Sequence, residues 1–281
     1  MSDTHPADPR EYVLGTDDVE LERLGLQASL WADHAAKLWH RARIGPGQSV
    51  LDVGCGPGFA SVHLARMVGA SGKLVGVDQS ERYLDYAQSE ADRLGMPWWT
   101  VHHGQVTELP AVVPADAGPF DAAYVRWVLC FVDDVAAVAR GLAEVVKPGG
   151  RVLIQDYFNY HAMTIAPKDP RWDRFRDQVI AAWEAPGGDS DVMGRMPGVL
   201  RDAGFEIDHL DISARVVRGG DTMWTWPSIF WASFIPRMVE GGFMTQPEAD
   251  EINTLWREVA ADPGRFFVLP QIYELIAVRR P

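Results

Sequence analysis

Apolar positions recur along the chain with two spacings, and the spacing changes at glycine and proline. From Asp17 to about Ala42, Leu21, Leu24, Ala28, Trp31, Ala35 and Leu38 repeat at helical intervals and predict one long amphipathic helix. Short apolar runs then alternate with helical patterns. SVLDV (49–53), KLVGVD (73–78), WWTVHH (98–103), FDAAYV (120–125) and RVLIQDYF (151–158) read as strands. GFASVHLARMV (58–68), SERYLDYAQSEADRLG (80–95) and DDVAAVARGLAEVV (133–146) read as helices. Ser80 is placed to cap the second of these helices and Gly95 to stop it, while Lys147-Pro148-Gly149-Gly150 ends the third. Strands alternating with helices imply a parallel sheet covered on both faces.

After the fifth strand the rhythm breaks twice. Residues 157–195 and 217–268 are irregular and rich in tryptophan. Between them GVLRDAGFEIDHLDISARVV restores a helix and a strand, and YELIAVRR closes the pattern as a last strand. Thr245-Gln246-Pro247-Glu248 has the form of a capping box and opens a helix expected to run to about Ala261. The expected architecture is α/β: a doubly wound, mostly parallel sheet of seven strands. An N-terminal arm and helix (1–46) precede a core of 47–216 plus 269–281. The stretches 157–195 and 217–268 are helical inserts that form a lid.

The densest punctuation lies in VLDVGCGPGFASVHLAR (50–66). An apolar strand ends near Asp52, and Gly54, Gly56 and Gly58 follow at alternate positions before a helix. In a doubly wound sheet the ligand lies beyond the carboxyl ends of the strands, beside a helix N-terminus. Asp78 ends the second strand, twenty residues after Gly58, a spacing suited to gripping a ribose diol. Both features place a nucleoside here. Position 59 is phenylalanine, so the glycines read GxGxG and not the GxGxxG of dinucleotide sites.

Composition narrows the possibilities. The 281 residues are 47% hydrophobic and carry a net charge of −13, which disfavours binding to nucleic acid through phosphate neutralisation. No apolar run reaches the roughly 18 residues that span a bilayer. MSDTHPADPR lacks the apolar stretch of a signal peptide, and a cytoplasmic protein is expected. Two cysteines, Cys55 and Cys130, make neither a disulfide framework nor a metal cluster. No metal site is expected: His102 and His103 are neighbours on a strand and point to opposite faces.

The ordered set VLDVGCGPG, VGVD, HHGQVTELP, FDAAYVRWVL and VVKPGGRVLI resembles the class I S-adenosylmethionine-dependent methyltransferases. Within them it is most similar to the small-molecule branch related to ubiquinone and menaquinone methyltransferases. The resemblance is strong over roughly 47–157 and weak over 195–216 and 270–281. It implies a Rossmann-like methyltransferase fold and S-adenosylmethionine as cofactor. It implies that the glycine loop, with Asp52 before it, passes under the methionyl part and that Asp78 holds the ribose hydroxyls. Gln79 would pack on the adenine, and Gln105 with Val106 would border it. Gln105 stands where the family often has an aspartate, and its amide oxygen can accept the same hydrogen bond. Arg126 would pair with the methionyl carboxylate, and Tyr12 would fold over the cofactor. Arg23 and Gln27 sit four apart on one helix face, directed either to solvent or inward.

The core motifs identify a cofactor and leave the acceptor open. The inserts carry Trp183, Trp224, Trp226, Phe230, Trp231 and Phe234, either as core or as an aromatic-lined acceptor pocket. Asp156, Tyr157 and His161, at and after the end of the fifth strand, are the candidate catalytic groups for removing a proton from the acceptor. The expected activity is methyl transfer to a small, largely apolar or aromatic molecule through an oxygen, nitrogen or carbon atom. A non-methylating S-adenosylmethionine-binding protein is the alternative, and a nicotinamide oxidoreductase a more distant one. The oligomeric state, monomer or homodimer, is open at this level.

Overall fold

The computed structural model describes residues 18–281; Tyr12 lies outside them. Two helices, α1 (Asp18–Leu30) and α2 (Ala32–Arg41), lead into β1 (Ser49–Val53), α3 (Ser61–Val68), β2 (Lys73–Asp78), α4 (Glu81–Arg93) and β3 (Trp99–His103). The short α5 (Leu109–Val112) precedes β4 (Phe120–Arg126), α6 (Val135–Val145) and β5 (Val146–Tyr157). The later chain forms β6 (Thr164–Ala166), α7 (Pro170–Glu184), α8 (Met196–Asp202), β7 (Phe205–Ser213) and β8 (Val216–Val217). It ends with α9 (Thr225–Glu240), α10 (Gln246–Ala261), β9 (Phe266–Val268) and β10 (Ile272–Arg279).

Seven strands form one sheet in the order β3-β2-β1-β4-β5-β10-β7. The first five are parallel, and β10 runs antiparallel to both β5 and β7. The chain winds outward from β1 to β3, then returns to place β4 on the other side of β1. That reversal opens a crevice at the carboxyl ends of β1, β2 and β4. Leu38, Trp39, Leu64, Leu74, Tyr124 and Leu153 fill one face of the sheet, and Leu51, Val77, Phe120, Leu142 and Ile154 the other.

Local signals account for many boundaries. The Ser80 hydroxyl accepts from the Tyr83 N–H at 3.3 Å to open α4, and the helix gives way at Gly95 with φ of 64°. The Thr245–Glu248 capping box is formed in both directions, and α10 ends at Ala261. Two expectations change. The long first helix is broken at Trp31, whose backbone (φ −107°, ψ 8°) leaves the helical region. Its indole is buried edge-on against Trp127 at 6.0 Å and Trp226 at 5.1 Å, so tertiary packing interrupts a continuous helical period. The inserts are also not purely helical. Three short strands, β6, β9 and β8, make a second antiparallel sheet that joins them. Runs of two or three residues are too short to show a period of two.

A polar row crosses the sheet under α2. The Tyr124 hydroxyl donates to Gln155 at 2.7 Å, and the Gln155 amide nitrogen lies 2.9 Å from His34 Nδ1. His34 and His209 each bring Nε2 to 3.1 Å from Glu274. Burial raises the Glu274 carboxyl, but the bonds from the two histidines outweigh it and bring the group down to about 2. This row fastens α2 to the antiparallel side of the sheet.

Candidate active site

The three glycines serve different ends. Gly56 has φ of 53°, and a Cβ there would meet nothing within 4 Å, so this backbone faces open space. Gly58 is instead a packing position: a Cβ would lie 2.6 Å from the Trp99 ring and 3.1 Å from Ala87. A Cβ on Gly54 would strike Val128 at 2.3 Å. Gly54 and Gly56 line the adjoining cavity, whereas Gly58 holds the loop against the sheet and does not reach it.

That cavity measures about 610 Å³, inside the roughly 300–1,000 Å³ typical of small-molecule sites. Asp52, Asp78, Gln79, Gln105, Val106 and Arg126 all line it. Asp78 is held by the Gly56 N–H at 2.8 Å on Oδ2 and the Ser80 N–H at 2.9 Å on Oδ1. With the Gln79 N–H also directed at it, the carboxylate keeps a lone pair for a ligand hydroxyl. Burial nonetheless raises its pKa, against the effect of those N–H bonds. Asp52 accepts from the Ser61 hydroxyl at 2.5 Å. Burial pushes it up to about 6, although Ser61 and Arg126 pull the other way. Arg126 lies 4.9 Å from the centre of the Trp127 ring.

A second, much smaller chamber of about 40 Å³ lies against the first. Trp127, Tyr157, Tyr160, Trp183, Trp226 and Phe230 form much of its wall. Gln27, Trp127, Phe131 and Trp183 line both spaces and form the wall they share. Trp127 stands at the junction, stacked between Tyr157 at 6.5 Å and Trp226 at 6.1 Å. Its φ of 52° is unusual for so bulky a residue and turns the chain sharply at the end of β4. The inward reading of Arg23 and Gln27 holds: both are buried and both line the chamber. Arg23 donates twice to Glu20 at 2.6 Å and once to Gln27 at 3.0 Å.

Residues 50–150 match a family model described as a methyltransferase domain. The sheet order and the glycine loop facing the cavity accord with that match. Residues 50–150 carry a methyltransferase domain. The chain is 34% identical over 161 residues to a 2-phytyl-1,4-naphtoquinone methyltransferase of Synechococcus elongatus, covering 56% of this chain and 62% of the relative. The chain thus spans about three fifths of that relative's length. Among solved structures, the YcgJ protein of Bacillus subtilis superposes with a TM-score of 0.58 at 19% identity, over 89% of this chain and 99% of that one. Magnesium protoporphyrin IX methyltransferase of Synechocystis, solved with bound S-adenosylhomocysteine, superposes at 0.53 and 16% identity, over 94% and 88%. At these identities the structures share the fold.

The three catalytic candidates separate. Asp156 is fully buried and lines neither space. Its Oδ2 accepts from the N–H groups of Val128, Leu129 and Cys130 at 3.1, 2.9 and 3.3 Å, and Oδ1 from Tyr157 at 2.9 Å. It anchors the turn after β4, and burial pushes its carboxyl up to about 6. His161 is 60% exposed on the outside, 3.8 Å from Asp177, and also lines neither space. Tyr157 does line the chamber, and burial holds its hydroxyl well above the ordinary range, so it stays protonated. Of the insert aromatics, Trp183, Trp226, Phe230 and Trp231 reach the chamber. Trp224 instead stacks on Trp256 at 4.2 Å, and Phe234 is core. Trp127, Phe131 and Tyr160 carried no sequence signal, because nothing local marks a side chain that meets its neighbours only across the fold.

Proposed function

We propose that the protein transfers a methyl group from S-adenosylmethionine to a small, largely apolar, aromatic molecule. One observation carries this reading: the cavity built by the glycine loop shares four wall residues with an aromatic chamber. The residues fit the cofactor. Gly56 leaves its backbone uncovered, Asp78 offers a lone pair to the ribose diol, and Gln79, Gln105 and Val106 border the adenine. Asp52, ionised above pH of about 6, suits the cationic end, and Arg126 the carboxylate. When bound, the cofactor supplies a methyl group already activated on a positive sulfur. The protein's work is then to align the acceptor and exclude water. Trp127 and Phe131 separate cofactor space from acceptor space, and Trp183, Trp226 and Phe230 give the acceptor an apolar surface. The inserts 157–195 and 217–268 act as its cover, and the acceptor's identity lies in them.

The test is calorimetric titration with S-adenosylmethionine, S-adenosylhomocysteine and NAD, followed by transfer of labelled methyl to a panel of phenols, quinones and amines. Binding of the first two without NAD, with label in an aromatic acceptor, is the expected result. Cofactor binding with no transfer to any acceptor overturns the methylating role, and preference for NAD overturns the cofactor.

A further inference from the structure

Gln27 is set between two groups that can only donate. The Arg23 guanidinium donates to its Oε1 at 3.0 Å, and the Trp226 indole N–H donates to the same oxygen at 2.7 Å. Neither partner has an acceptor to offer, so the amide can stand only one way round. Its NH₂ group then has no partner among the described residues, although the residue is only 8% exposed. It is not one of the fully enclosed orphan atoms, so it is reached from the space that Gln27 lines, at the junction of cavity and chamber. The two N–H groups are thus donors that a ligand in that space can use.

The rest of the chamber has the same polarity. Tyr157 and Tyr160 line it, their hydroxyls make no hydrogen bond to the described residues, and burial keeps both protonated. The Glu20 carboxylate is turned to Arg23, and the Gln27 oxygen is occupied twice. Among the described residues, no aspartate, glutamate or histidine lines the chamber. The charged groups nearest the junction are Arg23 on α1, beside its Glu20 partner, and Arg126 at the end of β4. Asp52, Asp133 and Asp134 line the larger cavity beyond it. The chamber can therefore donate hydrogen bonds to an oxygen but has no side chain suited to take its proton.

Resting on the methyl-transfer reading, we propose that the acceptor enters as an oxyanion, the phenolate or enolate of an acidic hydroxyl, with the Gln27 amide N–H groups as the donors that position it. The proton is already lost to solvent. An electron pair of the anion forms the new bond to the methyl carbon, and the carbon–sulfur pair leaves with the sulfur, which becomes neutral. Positive and negative charge vanish together and no base is required. Gln27 is a positioning and selecting residue: it favours the anion over the neutral phenol and disfavours protonated amines.

The experiment uses 4-nitrophenol, whose anion absorbs visibly, titrated against pH in the presence of saturating S-adenosylhomocysteine. The bound probe is expected to ionise about one pH unit lower than the free probe, a tenfold preference for the anion on the scale of one charge-assisted hydrogen bond. Gln27→Leu should abolish the shift, and Gln27→Glu should reverse it. The wild-type titration stands alone if a variant fails to fold. A bound probe that ionises at or above its free pKa, or a probe that does not bind, overturns the proposal. Loss of S-adenosylhomocysteine binding by the wild-type protein overturns the methyl-transfer reading instead, so the two failures are distinct.

Discussion

The cavity and the chamber are neighbours built by opposite means. The cavity's polar recognition comes from backbone and from short-range contacts: Gly56 lends its N–H to Asp78, and Ser61 its hydroxyl to Asp52, within a stretch that also carries the glycine loop. The chamber is assembled from α1, the end of β4, β5, α7 and α9, and the orientation of its Gln27 amide is set by Arg23 on α1 and a tryptophan 199 positions away. A ligand shared by many proteins can be read by the main chain of one loop. An acceptor peculiar to one protein has to be read by side chains brought from afar.

Four measurements sharpen or break that contrast. The largest effect is expected at Gly58, where Ala meets Trp99 with φ already at 81°. Gly58→Ala should lose about 2–4 kcal/mol of stability in denaturant unfolding through overpacking and strain. If it weakens only cofactor binding and leaves stability intact, Gly58 belongs to the cavity after all. Asp78→Ala comes next. Cofactor affinity should fall by about 1–3 kcal/mol in calorimetry, while the nitrophenol shift survives.

A third, smaller effect follows from Asp52. Its pKa is raised from 3.8 to about 6, so the neutral form favours the fold, and that stabilisation is lost as pH rises through about 6. The cationic cofactor prefers the ionised form. Affinity for S-adenosylmethionine should therefore fall below pH of about 6 and level off above it. Binding near that pH should release protons, detectable as a buffer-dependent heat. Asp52→Asn should flatten the profile, and a profile that keeps its bend in that variant assigns it to another group. The smallest effect is at His161. His161→Ala should change turnover less than about twofold and stability by under about 0.5 kcal/mol, as for an exposed side chain with one distant partner. A tenfold loss of turnover would return His161 to the chemistry.

The same division governs what could be read from residue order. Strand and helix alternation, the turn at Gly54–Gly58, the caps at Ser80 and Thr245, and the acid at Asp78 are local devices. They depend on period, backbone dihedrals and bonds spanning a few residues, so they were visible without coordinates. Asp52, Gln79, Gln105, Val106 and Arg126, which the resemblance implied, sit at or just beyond strand ends and line the cavity. Asp156 shows where that reasoning stops. Its position after a strand suits a base, but only the folded chain reveals four backbone N–H groups converging on it.

By itself, then, the sequence determined the doubly wound sheet, the crevice at its switch point and the kind of ligand that crevice takes, because hydrophobic period and glycine placement act over short distances. Only the tertiary structure decided the break at Trp31, the sheet linking the inserts, the placing of His161 outside both spaces and the inward face of α1. Each depends on side chains meeting across long sequence separations. The orientation of the Gln27 amide is the sharpest case: Arg23, one turn before it, and Trp226, far along the chain, together leave it a single arrangement of donors and acceptor.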